Sequence, residues 1–216
     1  SDTSGEISFF RLKRGKDLLN MQTLADIQFD KNSDNYTYED IDSKADFANT
    51  IYYYQVEVFD NCKNSTGSLS NVSNTIIAKV VVLNDTQNMV IWNKYNYFSN
   101  DVGYYYVYRG LEFGGVYEWQ VIGSSKSTDT TFFDATPPSE VGNTGICYKV
   151  VAFENPGNVL TPNQMQSNSS YSCELKDFKI FFPTAFNPFG VNRKWVPRGS
   201  YINYDKSEVK IFNRWG

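Results

Sequence analysis

Asn143-Thr144-Gly145-Ile146-Cys147-Tyr148-Lys149-Val150-Val151-Ala152-Phe153-Glu154-Asn155 decides the fold, because the chain carries it twice. Ninety-four residues earlier stands Asn49-Thr50-Ile51-Tyr52-Tyr53-Tyr54-Gln55-Val56-Glu57-Val58-Phe59-Asp60-Asn61. Both stretches are β-branched and aromatic, bounded by Asn and Gly, which is the make-up of a strand between turns. Working outward, Phe9-Phe10-Arg11-Leu12-Lys13-Arg14-Gly15 matches Tyr104-Tyr105-Tyr106-Val107-Tyr108-Arg109-Gly110. Asp40 and Asp134 share the offset, each after an aromatic segment that reads as a strand, and Ser70-Asn71 matches Ser167-Asn168. Four matches in order at a nearly constant offset define a repeated β unit.

The 216 residues hold 20 Lys+Arg, 24 Asp+Glu and no histidine, a net charge of −4. That length fits one large or two ordinary domains. No basic stripe offsets the charge, so nucleic acid is not an expected partner. The absence of histidine removes Ser-His-Asp and Cys-His nucleophiles, imidazole bases and His-ligated zinc. Apolar residues are 41% of the chain, enough for a core, but no run of 18 could cross a membrane as a helix. No signal peptide is visible, and the chain reads as a piece of something longer.

Within the second copy, Met89–Trp92, Tyr104–Tyr108, Tyr117–Ile122, Thr130–Phe133 and Cys147–Phe153 read as short strands. Asn100-Asp101, Gly114-Gly115, Pro137-Pro138 and Asn155-Pro156-Gly157 punctuate them. Such spacing predicts an all-β antiparallel sandwich. Helical spacing comes closest in Asp17–Ile27, which admits a turn or two of helix.

The unit resembles a fibronectin type III domain. Trp92 on the second strand, Tyr106 on the third and Gly142-Asn143-Thr144 … Tyr148-Lys149-Val150-Val151-Ala152 on the sixth carry the resemblance, with a Ser-Asn before the last strand. It implies a buried Trp92 and an inward Tyr106 whose hydroxyl bonds back to the chain. The first copy begins at the third strand. Its missing strands either lie upstream or are replaced by another chain. The expected units are residues 1–77 (an incomplete sandwich), 78–174 (a sandwich) and 175–216 (a third β unit).

That third unit opens with Phe178-Lys179-Ile180-Phe181-Phe182-Pro183-Thr184-Ala185-Phe186-Asn187-Pro188 and ends with Val209-Lys210-Ile211-Phe212-Asn213-Arg214-Trp215-Gly216. A second strand is expected near Ser207–Phe212. The two strings resemble the opening of the type B C-terminal sorting domain of the Bacteroidetes type IX secretion system, also called the gliding-motility-associated C-terminal domain. The resemblance implies a secreted protein held at the bacterial cell surface. Its partners would be the type IX translocon and an outer-membrane β-barrel, with Phe182, Pro183, Phe186, Pro188, Asn213, Arg214, Trp215 and Gly216 as the docking surface. Further strands are expected beyond Gly216. One departure is Phe189-Gly190-Val191-Asn192, where the family has Asn-Gly-Asp-Gly. Any cation or turn role of that aspartate is therefore not carried over.

On this fold Cys147 and Cys173 lie on neighbouring strands, so they form a bridge or remain two buried thiols, while Cys62 sits alone in a polar turn. Five Asn-Xaa-Ser/Thr triplets, at Asn35, Asn64, Asn71, Asn84 and Asn168, are coincidental in a bacterial protein. Asp129-Thr130-Thr131 resembles the O-glycosylation motif of that phylum, with Thr130 as acceptor, and equally reads as a turn before a strand. Carboxylates Glu112, Glu118, Asp129 and Asp134 read as turn residues rather than a glycosidase pair. Asp26, Asp30, Asp34, Glu39, Asp40 and Asp42 make the first copy acidic without a calcium-loop pattern. No catalytic residue, metal or cofactor is expected. Tyr95, Tyr97 and Phe98 either stack on surface glycans or pack between modules. The reading is a stalk and sorting tail of a surface adhesin or gliding-motility protein. The alternatives are the same tail on a secreted polysaccharide hydrolase, or a carbohydrate-binding module.

Overall fold

The computed structural model describes residues 6–84, 87–113, 116–135, 145–159, 163–174, 179–184, 187, 189–190, 195, 197–200, 208–210, 212 and 215. Among them the chain is all-β and antiparallel, with no helix. The first unit is one sheet. Strands β1 (Ile7–Gly15), β2 (Gln22–Gln28), β3 (Tyr53–Asp60) and β4 (Ser65–Leu69) run in the order β2-β1-β3-β4. The short β5 (Ser73–Asn74) also pairs with β3.

Two expectations fail in this unit. Asp17–Ile27 holds no helix: Asp17 Oδ1 accepts from the Leu19 and Asn20 amides in a tight turn, and residues 22–28 then pair with β1. A helix of one or two turns is unstable alone, whereas the edge of β1 offers a ladder of unpaired groups. The aromatic segment before Asp40 forms no strand either. Its counterpart in the second unit pairs with a strand for which the first unit has no equivalent among the described residues.

The second unit has two facing sheets. One contains β6 (Ala78–Asn84), β7 (Gln87–Trp92) and β10 (Thr131–Asp134), ordered β10-β7-β6. The other contains β8 (Val102–Phe113), β9 (Val116–Lys126), β11 (Ile146–Glu154), β12 (Gln166–Asn168) and β13 (Ser172–Glu174). Its order is β12-β11-β8-β9, with β13 also on β11. Alternation builds the core. Along β7, Asn88, Val90 and Trp92 point inward. They meet Tyr105, Val107, Tyr148, Val150 and Ala152, all fully buried.

Register corrects one residue. The inward tyrosine of β8 is Tyr105, not Tyr106: Tyr105 packs on Trp92 at 5.4 Å, and its hydroxyl accepts from the Tyr95 amide at 3.0 Å. Tyr106 faces outward against Phe153. A one-residue slip exchanges the faces of a strand, and Tyr104-Tyr105-Tyr106 offers no polar residue to mark the face.

The repeat extends to pairing. Phe9, Phe10, Leu12 and Arg14 of β1 oppose Phe59, Val58, Val56 and Tyr54 of β3. Tyr104, Tyr105, Val107 and Arg109 of β8 oppose Phe153, Ala152, Val150 and Tyr148 of β11 in the same register. Even the outer ring stacks match, Phe9 on Phe59 at 4.7 Å and Tyr104 on Phe153 at 5.1 Å.

The two units are joined through side chains as well as chain. Ile76, 2% exposed, belongs to the core of the second unit and bridges Ser169. Asn74 Nδ2 donates to the Lys94 carbonyl, Ser73 and Tyr95 share a hydroxyl contact, and Tyr53 meets Tyr97 edge-on.

In the third unit β14 (Lys179–Phe181) pairs with β15 (Arg198–Ser200). The strand expected near Ser207–Phe212 falls partly outside the described residues, and 208–210 and 212, which are described, belong to no ladder. The nearer partner costs less loop entropy to close. It is also anchored, because Trp195 stacks on Phe182 and its Nε1 donates to the Pro183 carbonyl.

Candidate functional site

The described docking residues start from β14. Phe182 and Pro183 follow it directly, and Trp195 holds both across the turn, with the indole 6.1 Å from the Phe182 ring and Nε1 2.6 Å from the Pro183 oxygen. Asn187 shapes the next turn, its Oδ1 accepting from the Phe189 amide and its carbonyl from Gly190. Phe186, Pro188, Asn213, Arg214 and Gly216 lie outside the described residues. Trp215 is 82% exposed. Sequence reasoning did not assign Trp195 a role, and its position between an aromatic turn and an unpatterned strand gave no periodic signal.

Most described large apolar side chains of this unit, Trp195 apart, stay in solvent. Ile180, Phe181, Phe182, Phe189, Val209, Phe212 and Trp215 are all exposed. Ile180 and Phe181 point to opposite faces of β14, so among the described residues neither face of that strand is fully covered. At about 25 cal/mol per Å² of apolar area, so many exposed rings favour burial against something else.

The second unit presents a different surface. Tyr117, Trp119 and Tyr171 cluster on the outer face of the larger sheet, with centroids 5.5–6.0 Å apart. Trp119 lies flat over Gly110, where a Cβ would meet the indole at 2.8 Å. Lys149 Nζ stands 4.6 Å from the Trp119 ring centre and 5.2 Å from that of Tyr108, a cation–π arrangement. Tyr95, Tyr97 and Phe98 are placed otherwise. Tyr95 is buried against Phe98 and Ser73, and Tyr97 packs on Tyr53 of the first unit.

Cys147 and Cys173 are register partners on β11 and β13 and are joined as a disulfide; Cys62 is a free, exposed thiol. Thr130 is half-buried, and its carbonyl accepts from the Trp92 amide at 3.0 Å. Asp129 closes the preceding turn by accepting from the Lys126 amide.

The carboxylates serve structure. In the second unit Asn88 Nδ2 donates to the Tyr148 hydroxyl (2.9 Å) and Tyr148 donates to Asp134 (2.8 Å). Arg109 Nη1 lies 3.0 Å from the same carboxylate. Burial, reinforced by Asp134, pushes the Tyr148 phenol well above its ordinary value. The first unit repeats the set: Arg14 lies 2.7 Å from Asp40, and Tyr54 donates to Asp40 at 2.7 Å. Arg14 also holds Asp42, and Arg11 holds Asp26. Burial opposes ionisation of Asp40, but the bonds from Tyr54 and Arg14 keep its carboxyl below the usual range. Among the described residues no three acidic or cysteine side chains gather as a cation site, and Asp134, already shared by Arg109 and Tyr148, is not a free acid or base.

No family model matches the chain, and no curated protein matches it.

Proposed function

We propose that the chain is the stalk and the beginning of the sorting domain of a secreted bacterial surface protein, an adhesin or gliding-motility protein. Residues 78–174 form a sandwich locked to the first sheet and braced by a disulfide. Those features suit an extracytoplasmic spacer that must stay folded outside the cell. The last unit is the part that docks. In this reading it engages the type IX translocon and then an outer-membrane β-barrel, and it needs no catalytic residue. The outer-face aromatics of the second unit are where a surface glycan would stack.

One observation carries the reading: of the described residues of the family-like strings, Ile180, Phe181, Phe182, Val209, Phe212 and Trp215 are all exposed large apolar side chains. A partner surface would bury them. Replacing Trp215 or Phe186 by Ala in the intact protein is expected to abolish surface delivery while the melting transition of residues 78–174 stays unchanged. Normal display of both variants would contradict the role.

A further inference from the structure

On their outer faces the two units differ in charge. In the first unit the stacked rings of Phe9 and Phe59 lie under a cation. The Arg11 guanidinium stands 4.4 Å from the Phe59 ring centre and 5.4 Å from that of Phe9, and Asp26 holds it. Lys13 pairs with Glu57 alongside. Register makes Tyr106, Tyr108 and Val151 the equivalents of Arg11, Lys13 and Glu57. Uncharged residues thus replace both ion pairs in the second unit, and the tyrosines among them are half-buried. Inside that sandwich Tyr105 and Tyr148 have bonded hydroxyls. Among the described residues the hydroxyls of Tyr104, Tyr106, Tyr108 and Tyr171 bond to nothing, and Lys149 has no carboxylate partner. Its ammonium rests between the Tyr108 and Trp119 rings. Lys126, opposite Tyr104, adds a second cation, and Glu112 stands at the far end opposite Tyr117. That end is braced: Cys147, Gly110 and Trp119 are successive register partners, and the disulfide ties Cys173 to the row. Tyr171, two residues before Cys173, packs on Tyr117 and Trp119.

We infer that this face binds an acidic polysaccharide, with a uronate or sulfate group on Lys149 and the C–H faces of the sugars against the tyrosine rings. The inference rests on the reading of these aromatics as the glycan surface, and adds the charge of the glycan and the place of its acid group. A sugar pairs an apolar C–H face with a rim of hydroxyls, which suits amphipathic rings whose own hydroxyls are free. An acid group supplies the counter-charge that Lys149 lacks, and a charge-assisted bond is roughly twice as strong as a neutral one. Tyr104, Tyr106 and Tyr108 run about 13 Å along β8, a length for a chain rather than a single sugar. Unbonded hydroxyls spread along the whole row are costly to bury under the apolar centre of a protein interface, whereas a hydroxyl-covered ligand bonds them.

Calorimetric titration of the intact protein with dextran, dextran sulfate and polygalacturonate tests this. At least one acidic polymer is expected to bind about tenfold or more tightly than dextran, by a margin that shrinks as salt rises. The tighter of the two acidic polymers names the acid group. Lys149→Gln is expected to weaken acidic binding about tenfold, the loss of one hydrogen bond to a charged group. Tyr171→Ala is expected to weaken it as well, and the melting transition of each variant stays that of the parent. Equal binding of all three polymers overturns the inference and leaves the glycan surface standing. Binding of none overturns both. Acidic binding unaltered by Lys149→Gln also overturns the inference, because the polymer then sits elsewhere. None of these outcomes bears on delivery by the tail.

Discussion

At the scale of single residues the two units differ most in their carboxylates. In the first unit Asp17, Asp26, Asp40, Asp42 and Glu57 all sit below their ordinary values of 3.8 and 4.5. Asn20 dominates for Asp17, Arg11 for Asp26, Arg14 for Asp42 and Lys13 for Glu57; for Asp40, Tyr54 and Arg14 outweigh burial. In the second unit Glu154, held by Asn158, is shifted this way. A carboxylate whose pKa falls on folding stabilises the folded state above its unfolded pKa. That contribution is lost as pH drops through the folded value. The first unit is therefore expected to loosen as pH falls from about 5 to 2, ahead of the second. Amide exchange followed across that range checks it: equal loss of protection in β3 and β11 would contradict it.

At the scale of elements, register decides which substitutions matter. Tyr105 is buried against Trp92, so Tyr105→Ala is expected to cost about 3–5 kcal/mol, the range for emptying a core aromatic site. Tyr106→Ala, on the outer face, is expected to cost about 1 kcal/mol. Urea melts of the two variants separate them, and a larger loss for Tyr106→Ala would reverse the assignment of faces. The strands themselves were legible: alternation in β7 and the apolar run of β11 are strong signals, and the duplicated stretch gave the repeat without any structure. The choice between Tyr105 and Tyr106 was not, because adjacent aromatics erase the period. Nor was β2 legible, since Leu18, Leu19, Leu24 and Ile27 mimic helical spacing, whereas Leu18 and Leu19 stand in a turn and only Gln22–Gln28 pairs with the free edge of β1. Arg198-Gly199-Ser200 carries no apolar pattern at all, and β15 exists because Trp195 turns the chain back onto β14. The shared Arg-Asp-Tyr sets lay inside the matched stretches, yet only the structure shows that they touch.

At the scale of the whole molecule the second unit is the rigid piece, with a core of its own, a cross-strand disulfide and side-chain contacts to the first sheet. The bridge closes a separation of 26 residues, which corresponds to roughly 3–4 kcal/mol in the chain-entropy account. Reduction is therefore expected to lower the melting temperature of this unit by on the order of 10–20 °C. Calorimetry with and without reductant reads it, and an unchanged transition would deny the bridge a stabilising role. The third unit is the opposite case: its described residues form one two-stranded pairing with rings in solvent, and two strands alone bury no core. The candidate docking residues were legible as a pair of aromatic strings. Their surroundings were not, because the cover they need is supplied by nothing among the described residues. The most direct measurement is where the intact protein goes when residues 175–216 are removed in a bacterium that has the type IX system. Surface protease accessibility reads it. The account predicts display for the intact protein and retention inside the outer membrane for the truncated one; equal display of both would contradict it.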